Sequence, residues 1–255
     1  MLKNRYLLLA AVAVGTAAGA ALGDGKIQIN TLPGSSGFAG GGSGGAFKIT
    51  HISGYNGIYG GPGGSASTFL TFCVEQTGGE VFSPGQQLWS VISTEARFGG
   101  GGATGSPSSD PLSSRTALLY SMFRTGGSIA GYVIDGVTSY ASGTITPSML
   151  TGALQKAIWK SEGETAPIGT LAQALYDWAH VRTNGSMTDG VGDIPEFSGG
   201  KLGKVRVLQL WNHAPLRDYD HRAQDQLTLI PLPSTAGLAC AGLFLTGARV
   251  RRRPN

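Results

Sequence analysis

The sequence predicts an α+β fold in which an antiparallel β-sandwich or barrel framework carries an inserted lobe of about three helices. Three observations lead there. Alternating and β-branched runs fill the first half, apolar residues recur at the helical period through the middle, and strand pattern returns from Lys204 onward.

Lys26-Ile27-Gln28-Ile29-Asn30 alternates, as does Ala46 to Ile52, so each is expected to bury one face. Thr68 to Val74 is a continuous apolar and β-branched run, and Val81-Phe82 and Leu88 to Ser93 are the next two strands. Many of the 42 glycines lie between Gly34 and Gly64 and from Gly99 to Gly105. Such runs hold no regular structure unaided and read as loops between strands, with disorder as the alternative.

Asp110-Pro111-Leu112-Ser113-Ser114 is a helix entry. The helix it opens covers Thr116 to Thr125, with Leu118, Leu119, Met122 and Phe123 at helical spacing and Gly126-Gly127 as its stop. A second helix spans Pro147 to Ser161 on Leu150, Leu154, Ala157 and Ile158, and a third runs from Ile168 to about Arg182 on Leu171, Leu175 and Trp178. After a polar loop from Asn184 to Gly203, Lys204 to Leu210 and Gln226 to Ile230 complete the framework. No repeat that would mark a solenoid or propeller is evident.

Both ends carry targeting features. Lys3 and Arg5 precede an apolar segment, Tyr6 to Ala17, and small residues follow at Ala18-Gly19-Ala20 and Ala21-Leu22-Gly23, the layout of a signal peptide over residues 1–23. At the other end, Pro231-Leu232-Pro233-Ser234-Thr235 leads into an apolar run, Ala236 to Ala248, and then Arg249, Arg251, Arg252 and Arg253. As a helix that run is roughly 20 Å long, short of the ~30 Å hydrocarbon core, and Ala and Gly make it only moderately apolar. It suits transient membrane retention, with the arginines on the cytoplasmic side.

The tail, residues 231–255, resembles the PEP-CTERM sorting signal of exported bacterial proteins, with Leu232 where that family usually has Glu. The resemblance implies an exosortase-like processing protease as partner, brief residence in the inner membrane, and a cell-surface, envelope or biofilm matrix destination. Of 19 Lys and Arg, two lie in the leader and four in the tail, leaving 13 against 15 acids in residues 24–230, a net of −2. The basic character of the whole chain therefore gives no reason to expect a nucleic-acid partner.

Only two cysteines are present, and Cys240 lies in the apolar tail, so the exported domain of residues 24–230 keeps Cys73 without an internal disulfide partner. Cys73 sits in Thr71-Phe72-Cys73-Val74-Glu75 at the end of an apolar strand, and the second helix contains Gln155-Lys156-Ala157-Ile158-Trp159. With these two segments the chain resembles the thioester domains of bacterial surface adhesins. The resemblance implies Cys73 as the sulfur partner and Gln155 as the acyl partner of an internal thioester, and a nucleophile-bearing or exopolysaccharide target. Such a bond needs a rigid approach and exclusion of water, for which Phe69, Phe72, Ile158 and Trp159 form a wall.

The plain reading of the same residues is structural: a buried strand cysteine and a glutamine meeting a hydrogen-bonding need in the core. On that reading the protein is a passive matrix or binding protein. A secreted hydrolase built on Cys73 with His51, His180, His213 or His221, or on Glu75, Glu162, Glu164 and Asp177, ranks below both, because no local protease signature surrounds the cysteine. Glu162 and Glu164 are expected to be solvated at a helix end. Asp189 to Asp193, Asp218 and Asp220 fit no calcium loop, and the histidines have no zinc spacing, so neither metal nor cofactor is expected. Trp89, Trp211 and Tyr219 offer sugar-stacking surfaces, with core packing the better expectation for each.

Overall fold

The computed structural model describes residues 25–31, 45–55, 68–76, 83–97, 110–125, 127–129, 132–134, 147–164, 168–183, 202–212 and 221–230. The leader, the Val81-Phe82 strand, most of the glycine-rich runs, the Asp189 to Asp193 segment, His213, Asp218, Tyr219, Asp220 and the whole tail with Pro231, Pro233, Ser234, Arg249, Arg251, Arg252 and Arg253 lie outside the described residues.

In chain order the elements are β1 (Gly25–Thr31), β2 (Phe47–Gly54), β3 (Thr68–Thr71), β4 (Gln86–Ser93), β5 (Glu95–Ala96), β6 (Asp110–Pro111), α1 (Ser114–Thr125), β7 (Gly127–Ile129), β8 (Tyr132–Ile134), α2 (Pro147–Ser161), α3 (Thr170–Arg182), β9 (Val205–Trp211) and β10 (Arg222–Leu229). Six strands form one sheet in the order β10-β9-β4-β1-β2-β3, and every pairing in it is antiparallel. The sheet curls into a half-barrel. The three helices enter between β4 and β9, giving the α+β framework with a helical insert that the sequence predicts.

Strand alternation divides the core in two. Ile27, Ile29, Phe47, Ile49, Phe69, Leu88, Ile92, Leu208 and Leu210 form one cluster, made by the strands on one face of the sheet. Val205, Val207 and Leu227 from the other face of β9 and β10 join Leu118, Leu119, Phe123, Leu150, Leu154, Ile158 and Leu175 of the helices. Strands β9 and β10 are thus buried on both faces, which explains their nearly continuous burial where β1 alternates.

The helix ends are set locally. Ser113 caps α1, its Oγ accepting from the amide of Thr116 at 3.1 Å, which satisfies one orphan donor of the first turn. Helix α2 closes with Gly163 at φ 83°, and the amides of Gly163 and Glu164 reach back to the carbonyls of Lys160 (3.2 Å) and Trp159 (2.9 Å). This glycine C-cap turns Glu162 inward onto Ser113, whose Oγ lies 2.8 Å from Glu162 Oε1. Glu162 is therefore buried, correcting the expectation of a solvated carboxylate: the start of α1 needs an acceptor there.

Candidate functional site

Beyond Thr71 the chain leaves β3 and crosses to the far edge of the same sheet, where Cys73 forms a single antiparallel bridge with Gln226 of β10. The amide of Leu227 donates to the carbonyl of Phe72 (3.0 Å) and that of Val74 to the carbonyl of Asp225 (2.9 Å), one on each side of the bridge. This makes Cys73 and Gln226 a non-hydrogen-bonded pair, the geometry that brings opposing side chains closest. Its consequence is that the backbone groups of Cys73 face away from β10.

There they meet α2. Gln155 Oε1 accepts from the amide of Cys73 at 2.9 Å, and Gln155 Nε2 donates to its carbonyl at 2.7 Å. Gln155 is fully buried and occupies the place a neighbouring strand would take.

The cysteine side chain joins the strand-face cluster with Ile27, Ile29 and Leu88. The Cys73 thiol donates to Gln224 Oε1 at 2.9 Å, and Gln226 Nε2 donates to Sγ at 3.0 Å. Gln224 Nε2 in turn donates to the carbonyl of Glu75, which fixes this second glutamine along the seam. Among the described residues Gln226 Oε1 has no hydrogen-bond donor. Burial pushes the Cys73 thiol well above its ordinary range; the Gln226 hydrogen bond opposes this and the charges of Glu75 and Asp225 add to it. The sulfur is a protonated thiol at neutral pH.

A bulge in β10 aligns these glutamines. Ala223 pairs with Leu210 but Gln226 with Leu208, so one extra residue is accommodated between them. Asp225 fills the gap in the ladder: Oδ1 accepts from the amide of Leu210 (3.0 Å) and Oδ2 from that of Arg97 (2.9 Å). Its carboxyl is raised by burial, against the pull of those two amides and the Arg97 charge.

The structure brings Cys73 and Gln155 together, but through the cysteine backbone; the side-chain amides at the sulfur belong to Gln224 and Gln226. The expected wall is divided by the same alternation. Phe69 and Trp159 share the strand-face cluster with Cys73, whereas Phe72 and Ile158 pack with the helices. The candidate carboxylates do not converge on Cys73 as a set: Glu75 is buried beside the seam, Glu162 binds Ser113 and, like Glu164, lies within electrostatic reach of Asp110, and exposed Asp177 accepts from Gln173. No histidine hydrogen-bonds to Cys73, and no group of three or more His, Cys, Asp or Glu suited to a metal occurs among the described residues. Trp211 is buried, while Trp89 is 38% exposed beneath the Lys26 ammonium.

Gln224 and Gln226 went unnoticed in the sequence because the last strand was expected to begin at Gln226, whereas β10 begins at Arg222. Their signal was present: Gln224-Asp225-Gln226 places three polar residues where a two-sided buried strand would otherwise be apolar. Comparison with protein-family models, with curated proteins and with solved structures finds no match.

Proposed function

We propose that this chain is an exported bacterial surface or matrix module in which Cys73 and Gln226 join as an internal thioester that captures a nucleophile on its target. The observation that carries the reading is the 3.0 Å contact between Cys73 Sγ and the side-chain amide of its cross-strand partner Gln226, both fully buried. Proximity of this kind is what a poor electrophile such as an amide requires.

In the bond-forming step the sulfur attacks Gln226 Cδ, the carbon–nitrogen bond breaks, and the thiol proton leaves with the nitrogen as ammonia. A primary amine on the target then attacks the same carbon, the carbon–sulfur bond breaks, and the thiol is restored as an amide forms. Gln224 Oε1, which accepts the thiol hydrogen bond at 2.9 Å, is the group in contact with that proton, while the charges of Glu75 and Asp225 hold the sulfur protonated. Gln155 holds the Cys73 backbone rather than supplying the acyl group. The leader and the PEP-CTERM-like tail support delivery to the surface through an exosortase-like protease, with an exopolysaccharide or other matrix component as neighbour.

The competing reading is a passive matrix protein in which the glutamines only close the sheet seam. It is favoured by the lack of a described donor at Gln226 Oε1, which leaves the amide unpolarised. Intact mass of the exported chain separates them. A thioester lowers the mass by one ammonia, the loss disappears in Cys73→Ala and Gln226→Ala but persists in Gln224→Ala, and methylamine restores mass as an adduct on Gln226. Full mass with a Cys73 thiol that alkylates on unfolding sinks the thioester.

A further inference from the structure

The helical lobe holds a cation that no carboxylate among the described residues pairs with. Arg115, in the first turn of α1, is 4% exposed, and an arginine keeps its charge at any pH the protein meets. Its Nη1 donates to Tyr176 Oη at 2.6 Å and to His180 Nδ1 at 3.1 Å, both on α3. Since a guanidinium only donates, Nδ1 is an acceptor and His180 is neutral in this arrangement. The Arg115 guanidinium also lies 5.2 Å from the Tyr176 ring centroid, and the Lys160 ammonium lies 4.7 Å from the same centroid.

No carboxylate among the described residues pairs with Arg115, and its Nε is buried without a hydrogen-bond partner. A carboxylate is linked to the second cation only indirectly: Lys160 Nζ donates to Gln173 Oε1 (2.7 Å), and Gln173 Nε2 donates to exposed Asp177 (2.6 Å). Two neutral acceptors and a ring face compensate a desolvated cation only in part, and a second cation beside the same ring adds to the imbalance.

We propose that Arg115, with Lys160, is a binding site for a carboxylate. With Nη1 occupied, the edge of the guanidinium that remains is Nε with Nη2, two parallel donors that match the two oxygens of a carboxylate. Tyr176 and His180, which accept from Nη1, are both half-buried, so the site lies at the edge of the helical lobe. The site lies between α1, α2 and α3, apart from the sulfur, so it does not depend on the thioester.

The test is a titration of the full chain with glucuronate, N-acetylglycine, the neutral methyl ester of glucuronate, and inorganic phosphate, read at the Arg115 Nε–H resonance. Saturable shifts with glucuronate or N-acetylglycine but not with the ester are expected; whichever binds more tightly tells a sugar acid from a peptide carboxyl. Arg115→Met weakens binding by about tenfold or more while unfolding no earlier than the parent chain, because it removes an uncompensated buried charge. If that variant does not fold, Lys160→Met carries the test and lowers affinity several-fold. No saturable shift with either carboxylate, binding of phosphate alone, or unchanged affinity in the folded variant overturns the assignment.

Discussion

Gln155 completes the backbone of Cys73 as a neighbouring strand would, with its Oε1 2.9 Å from the amide nitrogen and its Nε2 2.7 Å from the carbonyl oxygen. A primary amide carries a donor and an acceptor at the spacing of a peptide group, so one helical side chain satisfies both groups that the bridge to Gln226 leaves unpaired. The sulfur is thereby fixed on the opposite side, against Gln226.

Gln155→Glu tests this relationship at nearly constant shape. A carboxylate oxygen would replace the donor that faces the Cys73 carbonyl, leaving two acceptors in contact in a fully buried place. We expect a loss of about 2–4 kcal/mol in urea unfolding. Gln155→Leu, which leaves both Cys73 groups unpaired, is expected to lose a comparable amount. An unfolding midpoint within error of the parent chain in both variants would mean that water or a shifted backbone replaces the amide.

Tyr120 holds the same seam from the helical side. Its hydroxyl lies 2.9 Å from the carbonyl of Leu70 on β3 and 3.1 Å from that of Leu227 on β10, and it accepts from Arg124 Nη1 at 3.0 Å. Tyr120→Phe keeps the edge-to-face contact with Phe72 and removes the bridge between sheet edges together with the acceptor for Arg124. We expect a loss of about 1–2 kcal/mol. Faster hydrogen exchange at the Leu227 amide, which donates to Phe72, locates the effect at the seam; uniform exchange changes would place it elsewhere.

Much of the framework was legible because periodicity reports burial. Alternation in Lys26 to Asn30 and the spacing of Leu150, Leu154, Ala157 and Ile158 gave β1 and α2 nearly to the residue. The curl was less legible, since bringing β3 and β10 together depends on accumulated twist and on the β10 bulge rather than on local composition. The resemblance to thioester domains pairs Cys73 with Gln155, its partner through the backbone, while Gln226, distant in sequence and directly opposite in space, is a neighbour that only the curl reveals. Glu162 was misplaced for a related reason: a helix end suggests solvent, and only the docking of α1 against the α2 cap buries it.

Gly25 admits no side chain. A Cβ there would lie 2.1 Å from Tyr55 Cε2, and Tyr55 is itself held at φ 60° with its hydroxyl bonded to Ser90. A fully buried ring fixed at both ends cannot yield without shifting β1 from β4. Gly25→Ala is expected to destabilise by about 1–3 kcal/mol, and Tyr55→Ala in the Gly25→Ala background should cost less than the two changes separately. Strict additivity in thermal unfolding would show that the clash is relieved elsewhere.

Stability is expected to fall as pH rises from mildly acid to neutral, because Glu162 and Asp110 both titrate above their ordinary ranges. Burial pushes Glu162 up to about 7, opposed by its hydrogen bonds with Thr116 and Ser113 and reinforced by the charge of Asp110. Burial also raises Asp110 to about 6, reinforced by Glu164. A carboxyl raised in the folded state binds its proton more tightly there than in the unfolded chain. Its contribution is full below the ordinary glutamate value of 4.5 and is lost as pH climbs through about 7. For Glu162 the span corresponds to about 3 kcal/mol. Glu162→Gln keeps an oxygen for the Ser113 hydroxyl and removes the titration, so its unfolding free energy should flatten between pH 5 and 7, roughly the window set by these shifts. A variant whose slope matches the parent across that window would assign the pH dependence to Asp110 and Asp225, the other carboxyls that burial raises.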